Sequence, residues 1–460
     1  MWGDQDYMRG ERSERDAFRH AGRGLSMKIR VICTAAAVMM LLTLVGCSRA
    51  AINYQIAESI GTVGMYENNE PVETPKMRSA REQQEAREAA EASFQEQLDH
   101  AQSLADGYWY DEAIAYLETL EKNELTSERI NEAIKSYESA KSSVKVYEGK
   151  VVHLCFPGLI EDGERAFDGD DMAYTYSGSM ITCNELRAIL DQLYENGYVL
   201  VDIHDVAAIE TDDRGISTME MQKLKIPSGK KPIILSQDNL NYSLGRASDG
   251  IASKLVLEDG KVKALYTDRE GHDLKGDYDF IPVLDTFIEE HPGFAYQGAR
   301  GIVSVSGSEG VFGYDLDDPL VGSEEENQEA VSEIAKALRD EGWSIACAGY
   351  DHKYMNEMSV EQFTSDIENW MEKAGTWVGE TDIMFYPYGA EVAYPSEQLN
   401  ILLDNGFLYL CGLWGDTDYM ELGEGYLRQT RRFVDGYTIQ NAASYFTGIF
   451  DAVAAWDPAR

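Results

Sequence analysis

The chain has little cysteine, and none of it is arranged as a metal-binding pair. Six cysteines occur in 460 residues. Cys155, Cys183, Cys347 and Cys411 lie far apart, and no CxxC pair brings two of them together. A zinc knuckle is therefore disfavoured. Three of these cysteines sit in apolar, strand-like runs, so we expect small buried apolar side chains.

Three signature loops are also missing. Neither GxGxxG nor GxxxxGK[ST] follows any candidate strand, which disfavours nucleotide binding. GxSxG is absent as well, which argues against a serine hydrolase of the type that uses that turn.

Positive charge is scarce. The chain carries 40 Lys and Arg against 81 Asp and Glu, a formal net charge of −41. Such a surface repels polyanions, so nucleic acid is excluded as a partner. A neutral or cationic partner is favoured.

The N-terminal segment has the pattern of a lipoprotein signal peptide. Lys28 and Arg30 precede an apolar run over 31–45, which is short for a membrane span. The run ends in Leu44-Val45-Gly46-Cys47, which resembles a lipobox. We expect cleavage before Cys47, lipidation of its thiol, and anchoring to the outer face of the cytoplasmic membrane. An uncleaved signal anchor is the alternative, and Met27 is a second candidate start.

The sequence divides into four regions. Residues 1–47 form an N-terminal extension with the signal peptide, and the polar stretch 48–74 is typical of a tether. Residues 75–147 have helical apolar spacing and predict a small tetratricopeptide-like module, acting as a spacer or binding a protein. Residues 148–460 predict a barrel.

Short apolar runs alternate with amphipathic segments from Val151 onward. Near-continuous apolar strands between helices indicate parallel strands buried on both faces, close in number to a (β/α) barrel. The strand candidates are 151–156, 198–203, 231–236, 300–306, 343–349, 383–388 and 407–413.

Polar and aromatic residues follow these strand candidates. In such barrels chemistry collects after the carboxyl ends of the strands. Helix capping is the alternative explanation for each Asp or Asn taken alone. Together they predict a site for a polar ring with aromatic stacking. The residues are His204, Asp205, Asp238, Asn239, Asp351, His352, Tyr388, Trp414 and Asp416.

Several motifs give residues from about 150 to 460 a family resemblance. They are ERAFDGD (164–170), LYENGYVLVDIHDV (193–206), KPIILSQDNLNYS (231–243), GVFGYDL (310–316), WSIACAGYDHKYM (343–355), FYPYGAEV (385–392) and WDPAR (456–460). This region resembles polysaccharide deacetylases with a NodB-homology domain, in particular lipoprotein members from Gram-positive anaerobic bacteria. The resemblance implies a distorted (β/α)7 barrel that removes acetyl groups from cell-wall or extracellular glycans. It also implies a zinc-like divalent metal held by one Asp and two His, with a neighbouring Asp as general base.

The residues implied by the resemblance are only partly present. Asp238 matches the general base, and Asn239 stands where the family has a metal-binding carboxylate. His352 matches the second histidine ligand, whereas Ala348 replaces the first. The metal site is therefore incomplete relative to the family.

The aromatic part of the family pattern is retained. The Arg-Pro-Tyr motif falls on 385–388, where Phe385 replaces the arginine and Tyr386 and Tyr388 remain. With Trp414 these tyrosines are the candidate substrate-binding residues. The Leu-His motif has no counterpart, and one of the arginines at 428, 431 and 432 could supply positive charge.

Three functions follow from this incomplete match. The first is a weakly active deacetylase with a rearranged metal site, a hydrolase of C–N bonds. The second is a non-catalytic barrel that binds glycan through the same groove. The third is a structural protein of the cell envelope that acts through its helical module.

Overall fold

A computed structural model describes residues 66–67, 70–71, 73–123, 126–242, 244–317, 319, 321–414 and 417–460. The predicted signal peptide with Cys47 lies outside these residues, as does Asp416. The chain divides into two compact units after Glu96.

The α-helices are numbered along the chain. They are α1 (Pro75–Asp106), α2 (Tyr110–Thr119), α3 (Ser127–Ser143), α4 (Gly163–Ala166), α5 (Ala173–Ser179), α6 (Cys183–Glu195), α7 (Ile203–Val206), α8 (Phe280–Glu290), α9 (Glu324–Asp340), α10 (Val360–Asn369), α11 (Thr376–Val378), α12 (Glu397–Asp404), α13 (Gly436–Asn441) and α14 (Ala452–Ala455).

The strands are numbered in the same way. They are β1 (Tyr66–Glu67), β2 (Glu70–Pro71), β3 (Val144–Val146), β4 (Val152–Phe156), β5 (Leu159–Ile160), β6 (Ile181–Thr182), β7 (Tyr198–Leu200), β8 (Ala207–Thr211), β9 (Ser217–Met221), β10 (Lys225–Pro227), β11 (Lys231–Gln237), β12 (Lys254–Glu258), β13 (Lys261–Thr267), β14 (Asp273–Gly276), β15 (Ile302–Val305), β16 (Ser344–Cys347), β17 (Ile383–Phe385), β18 (Tyr409–Leu413), β19 (Met420–Leu422) and β20 (Leu427–Phe433).

Seven parallel strands of the described chain close into a barrel. The order is β4, β11, β15, β16, β17, β18 and β20, and β20 pairs with β4 again. The seam is irregular, because β7 pairs with the first half of β11 whereas β15 pairs with its last two residues. The predicted distorted (β/α)7 barrel, preceded by a helical region, is confirmed.

The strand prediction needs one correction. The candidate at 198–203 forms β7, which lies beside the seam and is not one of the seven closing strands. The seventh strand is β20, whose sequence LRQTRRF contains three arginines. Because those charges break the apolar pattern, β20 was absent from the sequence prediction.

Alternate residues of the strands face two separate cores. One core lies between the strands and the surrounding helices and contains Leu154, Leu235 and Val303. The other lies inside the barrel and contains Ile234, Ile302, Ala346, Phe385 and Cys411, with contributions from the 201–226 segment at the amino ends of the strands. The alternation is the two-residue period of a β-strand.

The surrounding helices are amphipathic and well capped. In α6, Leu186, Ile189 and Leu193 face the core. Its start is fixed by a capping box, in which Thr182 accepts from the Glu185 N–H and Glu185 accepts from the Thr182 N–H. The four cysteines of the barrel are free and buried, as predicted from their apolar surroundings.

Helices α2 and α3 pack against each other through Ala113, Leu117 and Ile130, which are buried. The turn before α2 contacts the barrel: the Tyr108 hydroxyl donates to the Gly293 carbonyl at 2.7 Å. The Gln297 N–H donates to the Gly107 carbonyl at 2.9 Å. From Gln97 onward the helical region therefore rests on the barrel.

Candidate functional site

A cleft of about 580 Å³ opens at the carboxyl ends of the barrel strands. It brings together five of the predicted residues, Asp238, Asn239, Asp351, His352 and Tyr388. Three of its other lining residues, Glu309, Asp279 and Tyr242, were not predicted. The clustering expected from strand ends is therefore present for this group.

Four residues of this cleft have a left-handed backbone conformation. Their φ angles are 50° at Asn239, 55° at Tyr242, 48° at His352 and 56° at Tyr388. Glycine adopts this region freely, and asparagine and histidine do so more readily than most residues, whereas a tyrosine there destabilises the fold by roughly 1–3 kcal/mol. Strain of this kind clusters at functional sites, where the side-chain direction matters.

Asp238 is held from two sides at the end of β11. Its N–H donates to the Phe156 carbonyl at 2.9 Å, which extends the β-ladder. Its carboxylate accepts a hydrogen bond from the guanidinium of Arg431. The predicted base thus forms an ion pair inside the mouth of the barrel.

Arg431 has no exposed surface. Its Nη1 lies 3.2 Å from Cys155 Sγ, and its guanidinium lies 3.8 Å from the centre of the Phe385 ring. Burial lowers the pKa of Arg431, but Asp238, Cys155 and Cys411 together raise it by more, so this pKa lies above its usual range. Arg431 is therefore a permanent buried cation at the site.

Asn239 turns its backbone toward the barrel wall. Its N–H donates to Ser304 Oγ at 2.9 Å. Its side-chain Oδ1 is buried and has no hydrogen-bond partner within the described residues. A buried carbonyl oxygen without a donor is unfavourable, so Oδ1 is available to a ligand.

His352 lies against the ring of Tyr388, with the two ring centres 4.9 Å apart in an edge-to-face arrangement. Burial lowers the pKa of His352, and the nearby carboxylates of Asp238 and Glu309 only partly offset this effect. His352 is consequently a neutral imidazole near pH 7.

The predicted aromatic residues have different surroundings. Tyr388 is 56% exposed and stacks on Tyr354, which is 51% exposed, with ring centres 4.6 Å apart. Tyr386 is fully buried, its hydroxyl bonded to that of Tyr394, so no ligand can reach it in this structure. Trp414 is half-exposed and stacks on Tyr419 at 5.5 Å, outside the residues that line the cleft.

His204 and Asp205 do not belong to this rim, contrary to the sequence prediction. His204 Nε2 lies 3.1 Å from Oδ1 of Asp382, the residue before β17, and hence at the amino ends of the strands. Its Nδ1 lies 2.5 Å from Asp202. The cause of the error is that β7 ends halfway along β11, and the chain then turns beneath the barrel.

Two functional residues had no clear sequence signal. Arg431 was one of three arginines without an assigned direction, and only its position in β20 shows that it points inward. Asp279 is almost fully buried, accepts from Gln237 Nε2 at 2.8 Å and from the Tyr242 hydroxyl, and burial raises its pKa. The alternation Leu427, Gln429, Arg431 would have given the inward face, had β20 been recognised as a strand.

The residues present do not fit a three-ligand metal site. Within the described residues, no three His, Cys, Asp or Glu side chains are grouped to hold an ion. His352 is the remaining imidazole, Asn239 offers an uncharged oxygen, and Asp238 is paired with Arg431. A catalytic zinc ordinarily has three protein ligands and an open position.

Comparison with known proteins agrees with the resemblance seen in the motifs. Residues 320–410 match the family model described as polysaccharide deacetylase, a stretch that includes β16, β17, His352 and Tyr388. Among solved structures, a Streptococcus pyogenes deacetylase, PplD in complex with acetate, matches with 10% identity and a TM-score of 0.35. That match covers 63% of this chain and 93% of the other. No curated protein matches the sequence. The family model over residues 320–410 confirms the predicted resemblance to polysaccharide deacetylases.

Proposed function

We propose that this polysaccharide deacetylase-like barrel binds a cell-wall or extracellular glycan at the cleft and its aromatic rim. The observation that carries the proposal is Tyr388, an exposed tyrosine in a left-handed conformation that stacks on Tyr354 at the mouth of the cleft. A side chain held in this way at the expense of backbone strain favours a role in recognition.

A sugar ring suits this surface. Aromatic side chains bury apolar area at little loss of side-chain entropy, and such contacts are worth about 1 kcal/mol beyond the area buried. Behind the rim, Asn239 Oδ1 offers an acceptor without a donor. Asp238, Glu309 and Asp351 add carboxylate oxygens. The cleft therefore combines a flat apolar contact with acceptors for hydroxyl or amide N–H groups.

The charge of the protein restricts the glycan. A net charge of −41 and several carboxylates in the cleft disfavour polyanionic polymers. Neutral N-acetylated glycans and glycans with free amino groups are both compatible with this surface.

The side chains available as metal ligands in the cleft favour glycan binding over efficient deacetylation. Metal-assisted hydrolysis needs an ion that lowers the pKa of a bound water. The cleft offers one imidazole, one uncharged amide and a carboxylate already paired with Arg431.

A weak hydrolase is the second candidate, and one observation favours it. The neutral imidazole of His352 lies in the same cleft as Asp238, so it could accept a proton from water. Acetate release from N-acetylated chitooligosaccharides that disappears in both His352→Gln and Asp238→Asn would support this function.

The barrel is proposed to act at the cell surface, anchored by lipid at Cys47. The support is the sequence pattern from Lys28 to Cys47. In the part of the chain that the structure describes, no helix is long and apolar enough to cross a membrane.

Calorimetric titration of the mature domain with acetylated and free-amine chitooligosaccharides tests the proposal, together with sedimentation on purified peptidoglycan. Saturable binding without acetate release is the expected result. The absence of any glycan binding would overturn the proposed function and favour a structural role of the helical region. Tyr437→Ala is the control for variants of the cleft, because Tyr437 is 61% exposed and does not line the cleft.

A further inference from the structure

We infer that the guanidinium of Arg431 is the resident cation of the cleft and that it makes ligand binding there independent of metal. The metal-independent binding rests on the proposed glycan-binding function, whereas the resident cation does not.

The position of Arg431 is built by three neighbouring strands. It lies on the inward face of β20, two residues after Gln429, and has no exposed surface. Its Nε lies 3.4 Å from the Gly412 carbonyl of β18, and Nη1 reaches both Cys155 of β4 and Asp238. These contacts hold the charge at the carboxyl ends of the strands, where the cleft opens.

The aromatic ring that packs against Arg431 belongs to Phe385. Phe385 stands where the resemblance implies an arginine, and the guanidinium of Arg431 lies 3.8 Å from the centre of that ring. The chain thus places a guanidinium over the position of the missing one, but from β20 instead of β17. A planar guanidinium stacks well on an aromatic face, which a lysine ammonium does less effectively.

The local charges then leave no place for a dication. Asp238 and Arg431 neutralise each other, and Asn239 is uncharged. A divalent ion beside His352 would meet a fixed positive charge, and it would have to displace the guanidinium to use Asp238. Because Arg431 is fully buried, solvent screens that repulsion only weakly.

Zinc titration of the full mature chain tests the inference. Wild type should show no saturable zinc binding, and its affinity for chitooligosaccharides should be the same with chelator or with added zinc. Arg431→Gln releases the Asp238 carboxylate next to His352 and removes the repulsion. This variant should bind zinc saturably, at least about tenfold more tightly than the weakest binding that the titration detects.

The matched control is the next residue of the same strand. Arg432 is ion-paired with Asp418 at 2.7 Å, so Arg432→Gln removes an equal charge outside the cleft. It should leave zinc binding unchanged. Equal zinc affinity in Arg431→Gln and Arg432→Gln would overturn the inference.

Folding failure of Arg431→Gln does not prevent a decision. Wild-type protein that takes up one zinc ion, and loses it in His352→Ala, overturns the inference without any Arg431 variant. The proposed function can fail separately. A chain that binds neither zinc nor glycan keeps the resident cation and refutes only glycan recognition, whereas glycan binding abolished by chelator refutes metal independence alone.

Discussion

Tyr388 shows at the scale of one residue how strain and recognition are connected. A tyrosine with a φ of 56° is unfavourable, and a more flexible loop at this position would let the backbone relax. The ring instead stays exposed, held between His352 and Tyr354. Packing against these two rings offsets the backbone strain and fixes the ring at the mouth of the cleft.

Tyr388→Ala should weaken chitooligosaccharide binding about fivefold, which corresponds to the loss of about 1 kcal/mol of aromatic contact. The domain should stay folded, but its free energy of unfolding should fall by about 1 kcal/mol, because alanine keeps the left-handed backbone and loses the ring contacts that offset its strain. Calorimetry and urea unfolding of the same preparations measure the two effects. Unchanged affinity for oligosaccharide would remove Tyr388 from the binding site.

The double change Asn239→Asp and Ala348→His should create a zinc site. Ala348 and Ala346 share one face of the chain at β16, and Ala346 belongs to the core inside the barrel, so a side chain at 348 points inward. One carboxylate and two imidazoles, with His352, then suffice for an ion with an open position. The gain in zinc affinity should exceed the sum of the single changes, because the ligands share one ion.

Isothermal titration of the two single variants and the double variant measures this coupling. Additive gains would show that positions 239 and 348 do not face a common point near His352. Acetate release should stay slow even with zinc bound, since Asp238 remains paired with Arg431.

The candidate site was predictable where its residues follow strands with a readable apolar pattern. Asp238, Asn239 and His352 come after such strands, and the structure gathers them in one cleft. Arg431 was not assigned, because the direction of a side chain depends on recognising its strand. Tyr386 and Tyr388 are two residues apart in one motif, yet the turn at Pro387 buries one and exposes the other. Sequence spacing alone does not distinguish them.

At the scale of elements, β20 and β7 explain the errors in the fold prediction. The interior of the barrel near its mouth is polar: His153 Nε2 bonds to Ser236 Oγ at 2.9 Å, and Gln429 lies 3.2 Å from His153 Nδ1. A strand that contributes to this interior carries polar residues and loses the apolar signal. The apolar β7, in contrast, packs at the seam without closing the barrel. Apolar patterning therefore predicted the barrel but not its exact strand set.

His204, in the short helix α7 at the amino ends of the strands, should make the stability of the fold depend on pH. Burial lowers the pKa of His204, but its hydrogen bonds to Asp202 and Asp382 raise it by more, to about 10. Because the pKa in the folded protein exceeds the usual value of 6.5, the stabilisation is complete below about pH 6.5 and is lost as pH rises toward 10. His204→Gln should remove this part of the pH dependence.

Urea unfolding of wild type and His204→Gln at pH 6, 8 and 10 checks this sign. The difference in unfolding free energy between the two proteins should shrink as the pH rises. Since 40% of the His204 side chain is exposed, solvent screening reduces the effect. A difference that is constant with pH would contradict the role of the charged imidazole.

At the scale of the whole molecule, the last residues fasten the rim of the cleft. Arg460 bonds to both carboxylate oxygens of Glu185, at 2.7 and 2.8 Å, and both side chains are buried. Arg460 also donates to the carbonyls of Ser177 and Met180, and Met180 lines the cleft. The WDPAR motif thus connects the far end of the sequence to the site.

Glu185→Gln should destabilise the domain by about 3–5 kcal/mol, because it leaves a buried guanidinium without its anion. The exposed pair Lys336–Asp340 provides the control, and Lys336→Ala should change stability by less than about 1 kcal/mol. Denaturant unfolding measures both variants. Equal small effects would show that the Glu185–Arg460 pair is not a main fastening of the chain.

The proposed anchoring of the whole molecule depends on one residue outside the described chain, Cys47. The predicted signal contains a second cysteine, Cys33, within its apolar core, and this provides a matched control. Cys47→Ala should leave an unlipidated precursor that still carries residues 28–46, because the thiol is the predicted site of lipid attachment before cleavage. Cys33→Ala should be processed like wild type, since it changes only one small residue of the apolar run.

Mass spectrometry of the N-terminus and partition into detergent distinguish the two proteins. If Cys47→Ala were cleaved and partitioned like wild type, the barrel would reach the membrane by another route, and the proposed lipid anchor would be abandoned.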